Sequence, residues 1–94
     1  MFANRLKERI RKGEPVLGSW VALADPFAVE VMAEAGFDWL VIDTEHCPIG
    51  VESLRNILIA AKGGTASPIV RLAENRPDLF KTALDLGAEG VLVP

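Results

Sequence analysis

The sequence predicts an α/β fold, namely the first half of a (β/α)8 TIM barrel, about four β/α units, behind a leading amphipathic helix. Short apolar segments alternate with amphipathic helical segments along the 94 residues. Strands that are apolar throughout are typical of parallel sheets, and helices between them are typical of right-handed crossovers. An open four-stranded sheet is the other topology compatible with this order. Because the last apolar segment reaches Pro94 without a covering helix, we expect residues 1–94 to form one incomplete domain.

Composition narrows the class of protein. Half of the residues are hydrophobic and the mean hydropathy is +0.26, which suggests a larger core than so short a chain closes alone. A run of about 18 apolar residues, which a membrane span needs, does not occur. Basic residues are dispersed or interleaved with acids, so we expect no nucleic-acid partner. The amino terminus does not resemble a signal peptide, and the single Cys47 fits a reducing compartment, so a cytoplasmic location is predicted.

The first three elements follow from spacing and from turn residues. Residues 2–12 carry apolar side chains four apart and are followed by Gly13, which predicts an amphipathic helix. Residues 15–24 form an apolar run bounded by turn residues, which predicts the first strand. Asp25 and the proline after it are typical of a helix start, and this helix is expected to end at Gly36.

The remaining elements repeat the alternation. Residues 37–43 are predicted to be the second strand, and residues 51–62 a helix with one apolar face. Residues 67–73 are the third strand, residues 77–86 the next helix, and residues 90–94 the fourth strand.

The segment that carries candidate chemistry is residues 36–50, GFDWLVIDTEHCPIG. It begins as a strand and ends as a loop, because the Cys-Pro pair breaks the ladder. At the changeover lie Asp43, Glu45 and His46, and His46 is the only histidine in the sequence. This predicts ionisable groups at the carboxyl end of a buried strand, where α/β proteins place their active sites.

Four motifs occur in order: GSW, AGFDWLVIDTEHCP, PIVR and LDLGAEGVLVP. Together they make the chain similar to the amino-terminal part of the HpcH/HpaI aldolase family. The resemblance implies a (β/α)8 barrel and a class II pyruvate aldolase, which uses a divalent metal (Mg²⁺, Mn²⁺ or Co²⁺). The implied reaction is reversible cleavage of a 2-keto-3-deoxy or 4-hydroxy-2-keto acid to pyruvate and an aldehyde.

The resemblance also implies roles for individual residues. His46 stands where the family has its proton acceptor, and Arg71 where a guanidinium binds the pyruvyl oxygens and stabilises the enolate. Asp85 matches an aspartate that raises the basicity of the histidine, and Asp43 matches a further acid beside the site. The two carboxylates that bind the metal in the family are expected beyond Pro94, so no metal ligand is assigned within this chain.

The chemistry requires such groups independently of the family. Retro-aldol cleavage leaves an enolate, whose growing negative charge must be met by a cation already in place. Arginine offers parallel donors to a keto acid, and imidazole exchanges protons near neutral pH. Because Arg71 and His46 come from neighbouring strands, with Arg71 two residues from the end of its own, we expect both to lie on the same face of the barrel.

Each assignment has a plainer alternative. His46 on a loop fits a surface histidine, and Arg71 a strand-end charge, although its apolar neighbours favour a paired group. Asp43 fits a turn cap as well as a site residue. Glu45 is either a solvated loop acid or a partner of metal-bound water. Trp20 is a candidate to line the substrate pocket, but core packing is the favoured interpretation.

Asp85 conflicts with the element order. It is predicted at the end of a helix before the fourth strand, which places it at the end of the barrel opposite the active site. Within one subunit it is therefore not expected to reach His46. Either the boundary differs, or Asp85 serves the site of a neighbouring subunit, or it is a helix-end acid bonded to local backbone.

Three functions remain open. The first is the metal-dependent aldolase, with a small keto acid and an aldehyde as substrates and no membrane or nucleic-acid partner. The second is a catalytically inactive half-barrel that buries its open strand edge by self-association, so a homo-oligomer is expected in either case. The third is a metal hydrolase with Asp43, Glu45 and His46 as ligands, which lacks a further histidine to complete its site.

Overall fold

The structure is a computed structural model and describes residues 4–94. Four helices and four strands alternate in the predicted order, and Phe2, which belongs to the predicted first helix, lies outside the described residues. The elements are α1 (Arg5–Arg11), β1 (Gly18–Val21), α2 (Pro26–Glu34), β2 (Trp39–Asp43), α3 (Val51–Ala61), β3 (Ser67–Arg71), α4 (Pro77–Asp85) and β4 (Gly90–Leu92).

The strands form one parallel sheet in the order β1-β2-β3-β4. Each strand therefore pairs with the next along the chain, as in the wall of a barrel, and the predicted α/β fold with parallel strands is confirmed. In the register, Val21 lies beside Ile42, and Ile42 lies beside Val70. Residues paired in this way point to the same face of the sheet.

The two faces of the sheet differ in their cover. One face carries Val21, Ile42 and Val70, which are at most 1% exposed and belong to a core built with side chains from α2, α3 and α4. The opposite face carries Trp20 and Leu92, which are 43% and 40% exposed. The hydrophobic core of the described residues thus lies between the sheet and the helices.

Element boundaries differ from the predictions chiefly at β1, which has four residues, Gly18–Val21, instead of residues 15–24. Pro15 has no N–H for a ladder, and the N–H of Leu17 donates to the Asp38 carboxylate at 2.9 Å. The predicted start of α2 is confirmed, because the Asp25 side chain accepts the N–H of Phe27 at 3.1 Å.

Helix α1 lies at the amino-terminal end of the sheet. Asn4 Nδ2 donates to the carbonyl of Glu89 at 3.0 Å, and Arg9 forms an ion pair with Asp38 just before β2. Leu6 is buried as its spacing predicts, whereas Ile10, expected on the same apolar face, is 56% exposed. The carboxyl ends of the strands face away from α1. Helices long and apolar enough to cross a membrane are absent from residues 4–94.

Candidate active site

Charged side chains meet at the carboxyl ends of β2 and β3. Asp43 and Arg71 are the last residues of these strands and lie opposite each other in the register. The backbone N–H of Thr44 donates to the carbonyl of Arg71 at 3.1 Å, so the loop after β2 stays attached to β3. The strand pairing therefore brings the two charges to one edge of the sheet.

Asp43 is buried, with 4% of its surface exposed, and both carboxylate oxygens have partners. Oδ1 accepts the backbone N–H groups of Glu45 at 2.9 Å and His46 at 3.0 Å. Oδ2 accepts the indole N–H of Trp20 at 3.1 Å and faces Arg71 NH1 at 3.4 Å. Asp43 thus caps the turn after β2, which is one of the two alternatives, and it also contacts Arg71.

These donors fix the charge of Asp43. Burial raises the pKa of the carboxyl, but the backbone N–H of His46, the indole of Trp20, the N–H of Glu45 and the charge of Arg71 together lower it from 3.8 to about 2. Asp43 is therefore a permanent negative charge at neutral pH.

Arg71 is half-buried and has carboxylate partners, as its apolar neighbours in the sequence suggest. Its NH2 lies 2.7 Å from Glu45 Oε1, and its NH1 contacts Asp43. The guanidinium carbon lies 5.7 Å from the centroid of the Trp20 ring, within cation–π range. Two carboxylates and an indole thus orient one guanidinium.

Glu45 links the arginine to the histidine. His46 Nε2 lies 3.3 Å from Glu45 Oε1, the same oxygen that faces Arg71. The His46 side chain is 69% exposed, whereas Glu45 Oε1 is buried and forms no hydrogen bond of good geometry. The structure therefore brings His46 and Arg71 together, as the strand order predicts, because both contact the same oxygen of Glu45.

Trp20 does not pack in the core, so the favoured interpretation of this residue was wrong. It is 43% exposed, and its indole N–H is used by Asp43. The pairing of Trp20 with Val41 places it on the same sheet face as Asp43, two residues further on. Trp20 therefore lies beside Asp43 and Arg71, on the neighbouring strand.

The structure does not bring Asp85 into this cluster. Asp85 is the exposed last residue of α4, and a short turn over residues 86–89 leads from it to the start of β4. It therefore lies at the amino-terminal end of the sheet, opposite the edge that carries Asp43 and Arg71, as the element order predicts.

The residues described do not fit a metal ion by themselves. Within 4–94, no group of three or more His, Cys, Asp or Glu side chains is arranged to hold one. The Asp43 oxygens already accept four donors, and Glu45 Oε1 faces Arg71 and His46. This geometry does not support the hydrolase hypothesis, in which Asp43, Glu45 and His46 would be the ligands.

A separate cleft of about 150 Å³ lies on the helix side of the sheet between α3 and α4. It is lined by Thr44, Thr82 and apolar residues, among them Ile49, Leu54 and Leu79. Because no charged side chain lines it, it offers no acid, base or cation for a reaction. The carboxyl edge of β2 and β3 is therefore the candidate site.

Sequence reasoning missed two contacts of this site. The hydrogen bond from the Trp20 indole to Asp43 depends on how β1 pairs with β2, and the alternation of strands along the sequence does not determine that pairing. The sharing of Glu45 by His46 and Arg71 depends on the course of the loop after β2. One signal in the sequence could have indicated the position of Trp20. Side chains alternate between the two faces of a strand, so Trp20 lies on the face opposite its neighbour Val21, which is buried in the core.

Comparison with known sequences gives one family and several similar enzymes. The model of the HpcH/HpaI aldolase/citrate lyase family matches residues 17–94. A hydroxypyruvate/pyruvate aldolase of Roseovarius nubinhibens is 44% identical over 91 residues, which are 97% of this chain and 35% of that protein. A 5-keto-4-deoxy-D-glucarate aldolase of Escherichia fergusonii is 42% identical over 94 residues, 100% of this chain and 37% of that protein.

Solved structures agree with the sequence comparison. The citrate synthase SbnG is 38% identical with a TM-score of 0.89, over 98% of this chain and 38% of that one. An HpcH/HpaI aldolase/citrate lyase family protein from Burkholderia cenocepacia is 39% identical with a TM-score of 0.89, over 98% and 37% of the two chains. The present chain thus spans little more than a third of the length of the curated relatives it matches.

Proposed function

Because the chain belongs to the HpcH/HpaI aldolase/citrate lyase family, we propose that it carries the proton-transfer and keto-acid groups of a pyruvate aldolase. The proposed reaction is reversible cleavage of a 2-keto-3-deoxy or 4-hydroxy-2-keto acid to pyruvate and an aldehyde. Relatives named as aldolases support lyase chemistry. The observation that carries the proposal is the meeting of His46 and Arg71 on one carboxylate, at the carboxyl edge of the sheet.

Arg71 would bind the pyruvyl part of the substrate. Its guanidinium presents several donors in one plane, which match the keto and carboxylate oxygens of a 2-keto acid. Asp43 and Trp20 already hold this group in place, so little reorganisation is needed when negative charge develops on the enolate oxygen.

His46 would take the proton of the 4-hydroxyl group. In this structure Nε2 faces Glu45, so Nδ1 is the ring nitrogen left to accept it. As the proton leaves, the C3–C4 bond breaks, its electron pair forms the enolate of pyruvate, and C4 becomes the aldehyde. Asp43 fixes the loop that carries the base, since it accepts the backbone N–H of His46.

We propose that the activity requires a divalent metal such as Mg²⁺, Mn²⁺ or Co²⁺. Because residues 4–94 do not form a ligand set, its carboxylate ligands are expected outside them. A bound metal would add positive charge to neutralise the enolate oxygen.

We further propose that Asp85 acts in the His46 site of a neighbouring subunit of a homo-oligomer. Support comes from its exposed position at the opposite end of the sheet, where it does not reach His46 of its own chain. Mixing a His46→Ala variant with an Asp85→Ala variant tests this proposal, because mixed oligomers would contain some intact sites. Recovered activity is the expected result, and a mixture as inactive as its components would contradict it.

The reaction itself is tested with pyruvate, a simple aldehyde and Mn²⁺, on protein that includes the metal ligands expected outside residues 4–94. We expect condensation product that disappears with EDTA and with His46→Asn, and persists with Glu30→Gln, which alters an exposed acid on α2. Metal-dependent hydrolysis without condensation would instead favour the metal hydrolase, in which Asp43, Glu45 and His46 are the ligands. Absence of both reactions would contradict the aldolase proposal for this chain.

The inactive, self-associating half-barrel remains the second candidate. The observation in its favour is the sheet face that carries Trp20 and Leu92, both partly exposed, next to the edge strand β4. In either case the proposed ligands are small keto acids and aldehydes rather than a membrane or a nucleic acid. A cytoplasmic location stays a prediction of the sequence.

A further inference from the structure

Both terminal nitrogens of Arg71 face carboxylates of the chain itself. NH1 lies 3.4 Å from Asp43 Oδ2, and NH2 lies 2.7 Å from Glu45 Oε1. These are the donors that the proposed function assigns to a keto acid. A keto acid that binds Arg71 must therefore compete with groups already present.

The two carboxylates are not equally held. Asp43 is the last residue of a strand and accepts two backbone N–H groups and an indole, which fix it in place. Glu45 lies in the loop after β2, and its buried Oε1 forms no hydrogen bond of good geometry despite its closeness to Arg71. Glu45 is held by none of the backbone or indole donors that fix Asp43, so it is the carboxylate that is easier to displace from Arg71.

The charge count points the same way. Asp43 and Glu45 are negative and Arg71 is positive, so these three groups sum to one negative charge when ionised. A keto-acid anion would add a second negative charge beside Glu45. Repulsion between partly buried carboxylates disfavours that arrangement unless Glu45 moves away from the guanidinium.

We propose that a keto acid displaces Glu45 from Arg71, and that the released carboxylate then binds and orients the imidazole of His46. The shared oxygen already lies 3.3 Å from His46 Nε2, and the exposed imidazole has room to follow it. Glu45 is thus a positioning residue, which occupies the substrate's place on Arg71 and fixes the base once substrate has arrived. The inference rests on the proposed aldolase function.

Glu45→Gln separates the two parts of this role. It removes the competing charge, so pyruvate should bind about fivefold more tightly, the scale of a partly exposed ion pair. It also removes the carboxylate that orients the base, so kcat should fall about tenfold. If Glu45 had only a structural role, the substitution would weaken both pyruvate binding and kcat, or change neither.

The experiment is calorimetric titration with pyruvate in EDTA, followed by steady-state kinetics with metal. Wild type is compared with Glu45→Gln and with Glu30→Gln, which removes the same charge from the exposed surface of α2. Glu45→Asp serves as a second variant, because its shorter carboxylate keeps the charge but does not span both partners. It should also bind pyruvate more tightly and turn over more slowly.

The outcomes distinguish this inference from the function on which it rests. Tighter pyruvate binding with lower kcat in the Glu45 variants, and wild-type values in Glu30→Gln, would support the exchange. If the wild type binds pyruvate but folded Glu45 variants bind it equally or more weakly, the displacement of Glu45 is contradicted. The aldolase proposal is not affected by that result. A wild type that neither binds pyruvate nor catalyses condensation would overturn the aldolase proposal and this inference together.

Discussion

At the scale of single residues, Asp43 determines the geometry of the site. It contacts Arg71 and Trp20 with one oxygen and fixes the backbone of the loop that carries His46 with the other. Burial alone would raise its pKa, so the lowered value of about 2 reflects the strength of these partners. The same contacts that orient Arg71 and the loop of His46 should therefore also stabilise the fold.

Asp43→Asn should lower the free energy of unfolding at pH 7 by about 1–3 kcal/mol, because an amide replaces a charged acceptor of several N–H groups. The folded pKa of about 2 lies below the ordinary value of 3.8, so the contribution of the carboxylate is complete above about pH 4. It should be lost as the pH falls from about 4 to about 2. Urea unfolding of both proteins between pH 2 and pH 7 measures this, and a difference that does not change with pH would contradict it.

If Arg71 acts as proposed, Arg71→Lys should lower kcat/KM about 100-fold, because lysine does not reproduce the planar set of donors that would meet the enolate. The fold should be little affected, with a change in unfolding free energy within about 1 kcal/mol. Arg76→Lys is the matched control, since Arg76 is exposed and pairs with Asp78 at the start of α4. Equal kinetic effects of the two substitutions would argue against a role for Arg71 in substrate binding.

At this scale the sequence predicted which residues meet but not how they contact one another. His46 and Arg71 were expected on one face because they come from neighbouring parallel strands, and the pairing of Asp43 with Arg71 at the strand ends brings both groups to one edge. The indole contact of Trp20 depends on side-chain torsions and on strand register. The position of Glu45 depends on loop geometry, which a pattern of apolar residues does not encode.

At the scale of elements, close packing between β1 and β2 positions Trp20 over Arg71. Gly18 pairs with Trp39 in the register, and a Cβ built on Gly18 would lie 1.8 Å from Trp39 Cδ2. The ring of Trp39 therefore occupies the space that a side chain at Gly18 would need. This contact holds the strand that carries Trp20 against β2.

Gly18→Ala should destabilise the protein by about 1–3 kcal/mol, because the Trp39 ring or the strand must move to admit the methyl group. Gly63→Ala is the control, since its nearest neighbouring atom, Glu34 Oε1, lies 4.0 Å from the added Cβ. Thermal unfolding of both variants tests the comparison. Equal stabilities would show that β1 accommodates the methyl group without cost.

Element order was predictable because apolar runs and helical periods alternate with clear turn residues. Strand ends were less predictable, because a strand ends where its neighbouring strand no longer offers hydrogen-bond partners. Residues 15–17 are apolar enough for a strand. However, Pro15 has no N–H, and the N–H of Leu17 donates to the Asp38 carboxylate instead of to a neighbouring strand. The start of α2 was predictable because Asp25 acts locally, through its own backbone neighbours.

At the scale of the whole molecule, the four-stranded sheet has one face covered by helices and two edge strands, β1 and β4. Trp20 on the opposite face and Leu92 on the edge strand leave apolar surface partly exposed. Exposed strand edges favour pairing with another chain. The proposals of a homo-oligomer and of a neighbour's Asp85 both depend on such an assembly.

The 94-residue chain should therefore sediment as a dimer or a larger species in analytical ultracentrifugation. Leu92→Lys, which places a charge on the exposed part of β4, should shift the distribution towards monomer. Lys81→Arg, on the exposed surface of α4, should leave it unchanged. A stable, monodisperse wild-type monomer would refute self-association.

The central claim is that His46 and Arg71 share one site that binds a keto acid. His46 is the only histidine of the 94 residues, so its imidazole signals in NMR spectra need no assignment among several rings. Titration with pyruvate should shift these signals to saturation in the wild type but not in Arg71→Lys. Signals that stay in place in the wild type, or that shift equally in both proteins, would contradict the shared site.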